Sequence, residues 1–277
     1  MASSATLPNT PSNSKSNSNK KLLKTAINSW FVVVVIGQFI FATYILGLYG
    51  VSGLAGDFER WNTSAPHGYE ANDIWGNVFF GIHMALAAVI TIGGPLQLMN
   101  KVRTKFPKFH RINGRVYIFS AFVISLAGLY LSWVRGSVGG LTGSIFISIN
   151  AAFIMVSAFY TIKYAVARKL AIHRKWAIRL FLAMSGVWFF RVFLMLWLTI
   201  NQGPAGFDMK TFTGPALNML YIFSYVFPII FAGFYFKAKA NGSKKGRLAV
   251  SIFLLVLTLC IFVGTITATM GMWLPRI

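Results

Sequence analysis

The chain has 277 residues, 56% of them hydrophobic and only 11% charged, a balance too apolar for a soluble globular domain. Its formal net charge of +21 does not point to nucleic acid, because the cations lie in short segments between apolar runs, where membrane topology accounts for them. The single cysteine, Cys260, rules out an intramolecular disulfide, and no CxxCH haem-attachment sequence is present.

The first 27 residues are rich in Ser, Asn, Thr and Lys and lack an apolar core. They read as a disordered basic tail and not as a cleaved signal peptide. From there on, apolar runs of about 20 residues recur, the length that crosses a hydrocarbon core of roughly 30 Å. About seven spans are expected, near 28–52, 75–99, 114–134, 141–162, 176–200, 215–236 and 248–273. The expected fold is all-α, a polytopic membrane helical bundle occupying residues 28–277.

The charges sort between these spans. Four Lys fall in the tail, six Lys/Arg in 100–115, six in 163–179 and five in 237–247. The opposite side holds Arg60, Arg135, Lys210 and Arg276 together with all five acidic residues. Cytoplasmic loops carry the excess of Lys and Arg, so the N-terminus is expected in the cytoplasm and the C-terminus outside.

Three spans carry polar residues at similar depth in the outer half. His83 lies about eight residues, or roughly 12 Å, from the outer end of the second span. Gln97 lies 14 residues further on, within about 40° of the same helical face. Asn150 in the fourth span and Arg191 in the fifth each stand about nine residues from the outer end. Ionisable groups at such depth face the bundle and mark sites. His83, Gln97, Asn150 and Arg191 therefore form a candidate ligand-binding set, suited to a carboxylate, a phosphate or a haem propionate. The plainer alternatives are a hydrogen-bonded core histidine and an arginine that bonds backbone carbonyls or snorkels outward.

Two basic segments resemble each other. Residues 108–119, KFHRINGRVYIF, and 171–182, AIHRKWAIRLFL, both read His-Arg, a second Arg, then an apolar helix. This is compatible with duplication of a two-helix unit. Helix starts of this kind attract anions, and anionic lipid head groups at the cytoplasmic face are the simplest partner.

The motifs His83, Gly94-Pro95-Leu96-Gln97, His110-Arg111 with Gly114-Arg115, His173-Arg174-Lys175-Trp176 with Arg179, and Arg191 resemble a family of bacterial membrane proteins, domain of unknown function 2306. The resemblance covers roughly 75–235 and implies a multi-pass protein of the bacterial inner membrane, with no activity attached. A looser similarity in arrangement to cytochrome b561-type proteins implies a haem-binding redox or electron-transfer protein. Under it, His110 and His173 would ligate the iron of haem b, while Arg111, Arg115, Arg174 or Arg179 would meet its propionates and Trp176 would pack on the macrocycle. Two departures count against this: the fourth histidine, His67, lies in a loop while Asn150 occupies the corresponding stretch of span four, and Asn113-Gly114 is a turn signal that would put His110 in an interfacial loop. The alternatives are a transporter or binding protein for a small anionic or amphipathic molecule, and a structural or assembly protein. For an enzyme the sequence offers little, since no acidic residue lies within a span and neither HExxH nor GxSxG occurs. No catalytic residue is assigned.

Overall fold

A computed structural model describes the backbone of residues 11–277, and the side chains from Ser18 onward apart from Asn241. Helix α1 (Pro11–Ile45) passes through a π-helical turn at Leu46–Gly50 into the short α2 (Val51–Leu54). A 3₁₀ turn at Phe58–Thr63 leads to α3 (Ile74–Leu98), followed by α4 (Asn100–Lys105) and α5 (Pro107–Tyr130). A second π-helical turn, Leu131–Arg135, closes α5, and α6 (Gly140–Val166), α7 (Leu170–Met184) and α8 (Gly186–Ile200) come next. The chain ends with α9 (Pro215–Tyr221), a π-helical turn at Ile222–Val226, α10 (Phe227–Asn241), α11 (Lys244–Ala268) and a fourth π-helical turn, Thr269–Trp273.

The helix starts follow from local chemistry. The Asp73 carboxylate accepts from the Gly76 N–H ahead of α3, and the Ser243 hydroxyl accepts from the Gly246 N–H ahead of α11. Pro107 opens α5 and Pro215 opens α9, where the missing N–H has no helical partner to lose. Among the described residues, six helices are long and apolar enough to cross a membrane, and α7 with α8 make a seventh if that bent pair is one span. Many of their large apolar side chains face outward, among them Ile36, Phe119, Phe159 and Leu259. In a bilayer these meet lipid, so their exposure carries no penalty.

Two expectations are corrected. The basic tail is helical from Pro11, and Leu23 and Ala26 are buried; an apolar stripe among the lysines docks this stretch on the bundle. Its first ten residues lie outside the described ones. The fifth span, expected as one helix over 176–200, is broken instead. α7 and α8 meet at 51°, and Ser185 at the joint donates its hydroxyl to the Phe181 carbonyl at 2.7 Å. Such back-bonding next to a glycine bends helices. The Gln38 amide donates to the same hydroxyl at 2.7 Å and ties α1 to the bend.

α8 fills the centre. Trp188, Phe189, Val192 and Phe193 are all buried, against α11, α7 and the turn ahead of α10. Its closest approach to α11 is at Gly264, where an added Cβ would meet the Val192 carbonyl oxygen at 2.5 Å. Backbone, not a flexible side chain, would have to move. Gly264→Ala is expected to cost about 1–3 kcal/mol, read as a lower unfolding midpoint in detergent.

The alternating path gives the bundle two chemically distinct ends. The start of α1, the end of α3, the start of α7, the end of α10 and the start of α11 surround one cavity rich in Lys and Arg. At the other end Arg135 meets the 67–77 segment, Arg60 meets the carbonyl of Ile277, and the Tyr221 hydroxyl donates to the Val138 carbonyl. The separation of charge anticipated along the chain is thus a separation in space.

Candidate functional site

Arg191 projects from the middle of α8, half-buried, with its guanidinium 5.5 Å from the centre of the Phe41 ring on α1. Among the described residues it makes no hydrogen bond and no ion pair, so this cation–π contact is its one specific partner. The expected alternative, bonding to backbone carbonyls, does not occur. An arginine at the middle of a membrane helix is costly unless its N–H donors are paired.

What surrounds it is unsatisfied too. His83 on α3 lies within electrostatic reach of Arg191 and sets its ring against Gly128 of α5, 3.3 Å from the position of that residue's Cβ. Its Nδ1 is buried with no partner. Asn150 on α6 is buried, and its Oδ1 has no hydrogen bond. That oxygen lies 3.2 Å from where a Cβ on Gly186 would sit, and the Tyr225 ring lies 2.5 Å from the same point. Tyr225 and Tyr49 are also within the electrostatic reach of Arg191. His83, Tyr49 and Tyr225 thus lie within electrostatic reach of the cation, and Asn150 and Tyr225 both pack on Gly186.

The walls are aromatic. Phe190 stacks on Tyr221 with centroids 4.5 Å apart, and Tyr225 extends the stack at 6.2 Å from Phe190. On the α1 side, Phe41 packs on Trp273 at 5.2 Å and on Tyr44 at 5.8 Å. The tyrosines could not be found from regular spacing, because Tyr49 and Tyr225 both sit in π-helical turns. One extra residue per turn rotates the side chain off the ordinary helical face, and such turns recur at functional sites.

Gln97 is not part of this group. Its amide donates to the His110 carbonyl at 2.9 Å and it packs beside Gly114. Sharing a helical face with His83 leaves it two turns or more further toward the basic end, where it clamps the end of α3 to the start of α5. Asn113 adds a second clamp, donating to the Gly93 carbonyl at 3.0 Å.

The two similar basic segments open two helices in the same way. His110 is the fourth residue of α5 and His173 the fourth of α7, and the two rings lie within electrostatic reach of each other. His173 donates Nδ1–H to the Thr161 carbonyl at 2.9 Å, while His110 Nδ1 is buried and unpaired. The residues expected to hold a macrocycle are engaged otherwise. Trp176 stacks on Tyr160 at 4.5 Å, and Arg179 lies over the rings of Trp176 and Phe236 at 5.0 and 5.1 Å. Arg111 and Arg115 are exposed, Arg174 lines the basic cavity, and neither histidine lines either of the two cavities described.

At the acidic end one arginine organises the loop. Arg135 donates from Nε to Asp73 Oδ2 at 2.9 Å, from Nη1 to the carbonyls of His67 and Gly68, and from Nη2 to Asn77 Oδ1 at 2.7 Å and the Asp73 carbonyl. The Gly76 N–H and then Arg135 hold the Asp73 carboxyl below the usual carboxylate range. Trp61, buried, donates its indole N–H to the Tyr49 carbonyl at 3.3 Å. These bonds hold the loop between α2 and α3 against the Tyr49 side of the bundle.

A family model described as predicted membrane protein (DUF2306) matches residues 80–236. The chain belongs to this family. The matched region holds His83, Asn150, Arg191 and Tyr225, while Phe41 and Tyr49 come from helices outside it. No curated protein matches the chain, and neither does any solved structure. The family and the apolar helices make it a multi-pass membrane protein.

Proposed function

We propose that the protein binds an amphipathic carboxylate or phosphate within its bundle, anchored by Arg191. The observation that carries this is a half-buried guanidinium without a hydrogen bond or ion pair among the described residues, within electrostatic reach of a histidine whose buried Nδ1 is also unpaired. Buried charges persist when something pairs with them, and an anion accepting from the planar fork does so best. The Phe41 and Phe190–Tyr221–Tyr225 walls suit an apolar body attached to that anion. The excess of Lys and Arg at the opposite end supports a cytoplasmic N-terminus, which would put Arg191 nearer the outer side.

Octanoate tests the reading. In nanodiscs of uncharged lipid, wild-type protein is expected to retain radiolabelled octanoate saturably, and Arg191→Gln to lose at least tenfold in affinity. Equal retention by folded Arg191→Gln would remove the site and leave a structural or assembly role for the bundle.

A second reading, haem at His110 and His173, has one observation in its favour: the Nδ1 bond to Thr161 leaves His173 Nε2 free to accept a metal. Haem would supply one-electron chemistry there, and the imidazoles of His110 and His173 would hold it. Protein made under haem-replete expression would then show a Soret band that alanine at both histidines abolishes. A colourless preparation excludes it.

A further inference from the structure

The cavity at the basic end holds about 670 Å³, within the range of about 300–1,000 Å³ of small-molecule sites. Its lining divides sharply by chemistry. Lys20, Lys24, Lys101, Arg174, Lys239 and Arg247 supply six cations, and no acidic residue takes part. The rest is almost wholly apolar, with Phe181, Phe189, Phe193, Phe223, Phe227 and Phe231 prominent. Helix α1 gives the depth. Its lining residues run from Lys20 to Phe31, about 16 Å at 1.5 Å per residue. That is about half the hydrocarbon thickness, the depth of one leaflet.

A dissolved anion has no use for a phenylalanine-lined interior, and a neutral hydrocarbon has none for six cations. One further group narrows the choice. Trp30 lines the cavity and is only 8% exposed, yet its indole N–H has no acceptor. It lies about 9 Å further in along α1 than Lys24. A group that presents a negative charge at the mouth, a carbonyl one step inside and a chain beyond would satisfy all three zones.

We propose that this cavity holds an anionic phospholipid. Its phosphate sits among Lys24, Arg174 and their neighbours, an ester carbonyl accepts from Trp30, and acyl chain fills the space between the phenylalanines. The site differs from a head-group surface at the starts of α5 and α7, since of those basic residues only Arg174 lines it. It shares no residue with the Arg191 site.

Native mass spectrometry of the detergent-solubilised full chain, with added dioleoyl-phosphatidylglycerol, dioleoyl-phosphatidylcholine or oleate, tests this. Wild type is expected to retain one phosphatidylglycerol through delipidation that strips phosphatidylcholine. Lys24→Gln with Arg174→Gln, both at exposed positions, should weaken that adduct about tenfold or more, at roughly 1 kcal/mol for each cation. Leu257→Trp, which fills the apolar part and leaves every charge in place, should abolish it. Ile178→Trp, from the α7 side, serves if Leu257→Trp fails to give a monodisperse protein. Arg191→Gln should leave the adduct unchanged. Equal retention of both phospholipids, a preference that survives the filling variants, or oleate retained over phosphatidylglycerol would each overturn the proposal.

Discussion

Arg191→Leu is expected to make the ligand-free protein more stable, by about 1–3 kcal/mol. Most substitutions in a packed bundle destabilise, so the sign is the informative part. The half-buried guanidinium has one contact, with Phe41 at 5.5 Å. A cation–π pair is worth about 0.5–2 kcal/mol, less than the roughly 2.5–3.5 kcal/mol that insertion scales assign to an arginine at mid-membrane depth. Leucine removes the penalty and keeps much of the side-chain volume. The same variant should lose any stabilisation by octanoate, which in wild type should reach about 2.7 kcal/mol at a hundredfold excess over Kd. Thermal unfolding in detergent, with and without octanoate, measures both effects. A marked loss of ligand-free stability in Arg191→Leu would mean that the arginine supports the fold.

The second large effect has the opposite sign. Arg135→Ala should destabilise by about 2–4 kcal/mol, because it leaves the carbonyls of His67 and Gly68 without their donor and the Asn77 amide oxygen with the Glu70 N–H alone. Its pH dependence follows from Asp73. That carboxyl is held below its ordinary value, so its contribution is complete above the unfolded carboxylate value of about 4 and is lost as pH falls through the folded value. Asp208, held down by the N–H groups of Thr211 and Lys210, acts in the same direction. Stability from these two groups should therefore be flat from pH 8 to 5 and decline only below about 4. In Arg135→Ala the acid decline should shrink without vanishing, since the Gly76 N–H still favours the charged Asp73. A decline centred near pH 6 would show that other groups govern the acid limit.

How much of this was readable in the chain depends on the length scale of the interaction. Bilayer thickness and loop charge act on whole segments, so the spans and the two chemical ends followed from the sequence. Lateral arrangement did not. Gln97 shares a helical face with His83, but the pull of the His110 carbonyl takes it to another helix start. Tyr49 and Tyr225 were hidden by π-helical turns, and the 51° bend at Ser185 by a hydroxyl that bonds within its own helix. The basic cavity draws its six cations from five separate segments, all of which read singly as ordinary basic ends. Arg135 looked like one of a few stray outer charges until its partners across α3 were in place.

The most direct measurement is a cryo-EM map of the protein in nanodiscs with saturating octanoate, at a resolution that shows side chains. Density for a carboxylate within about 3 Å of the Arg191 guanidinium is expected, with the chain running along the Phe190–Tyr221–Tyr225 wall. A guanidinium turned onto protein carbonyls, with no density beside it, would contradict the assignment of Arg191 as a ligand anchor.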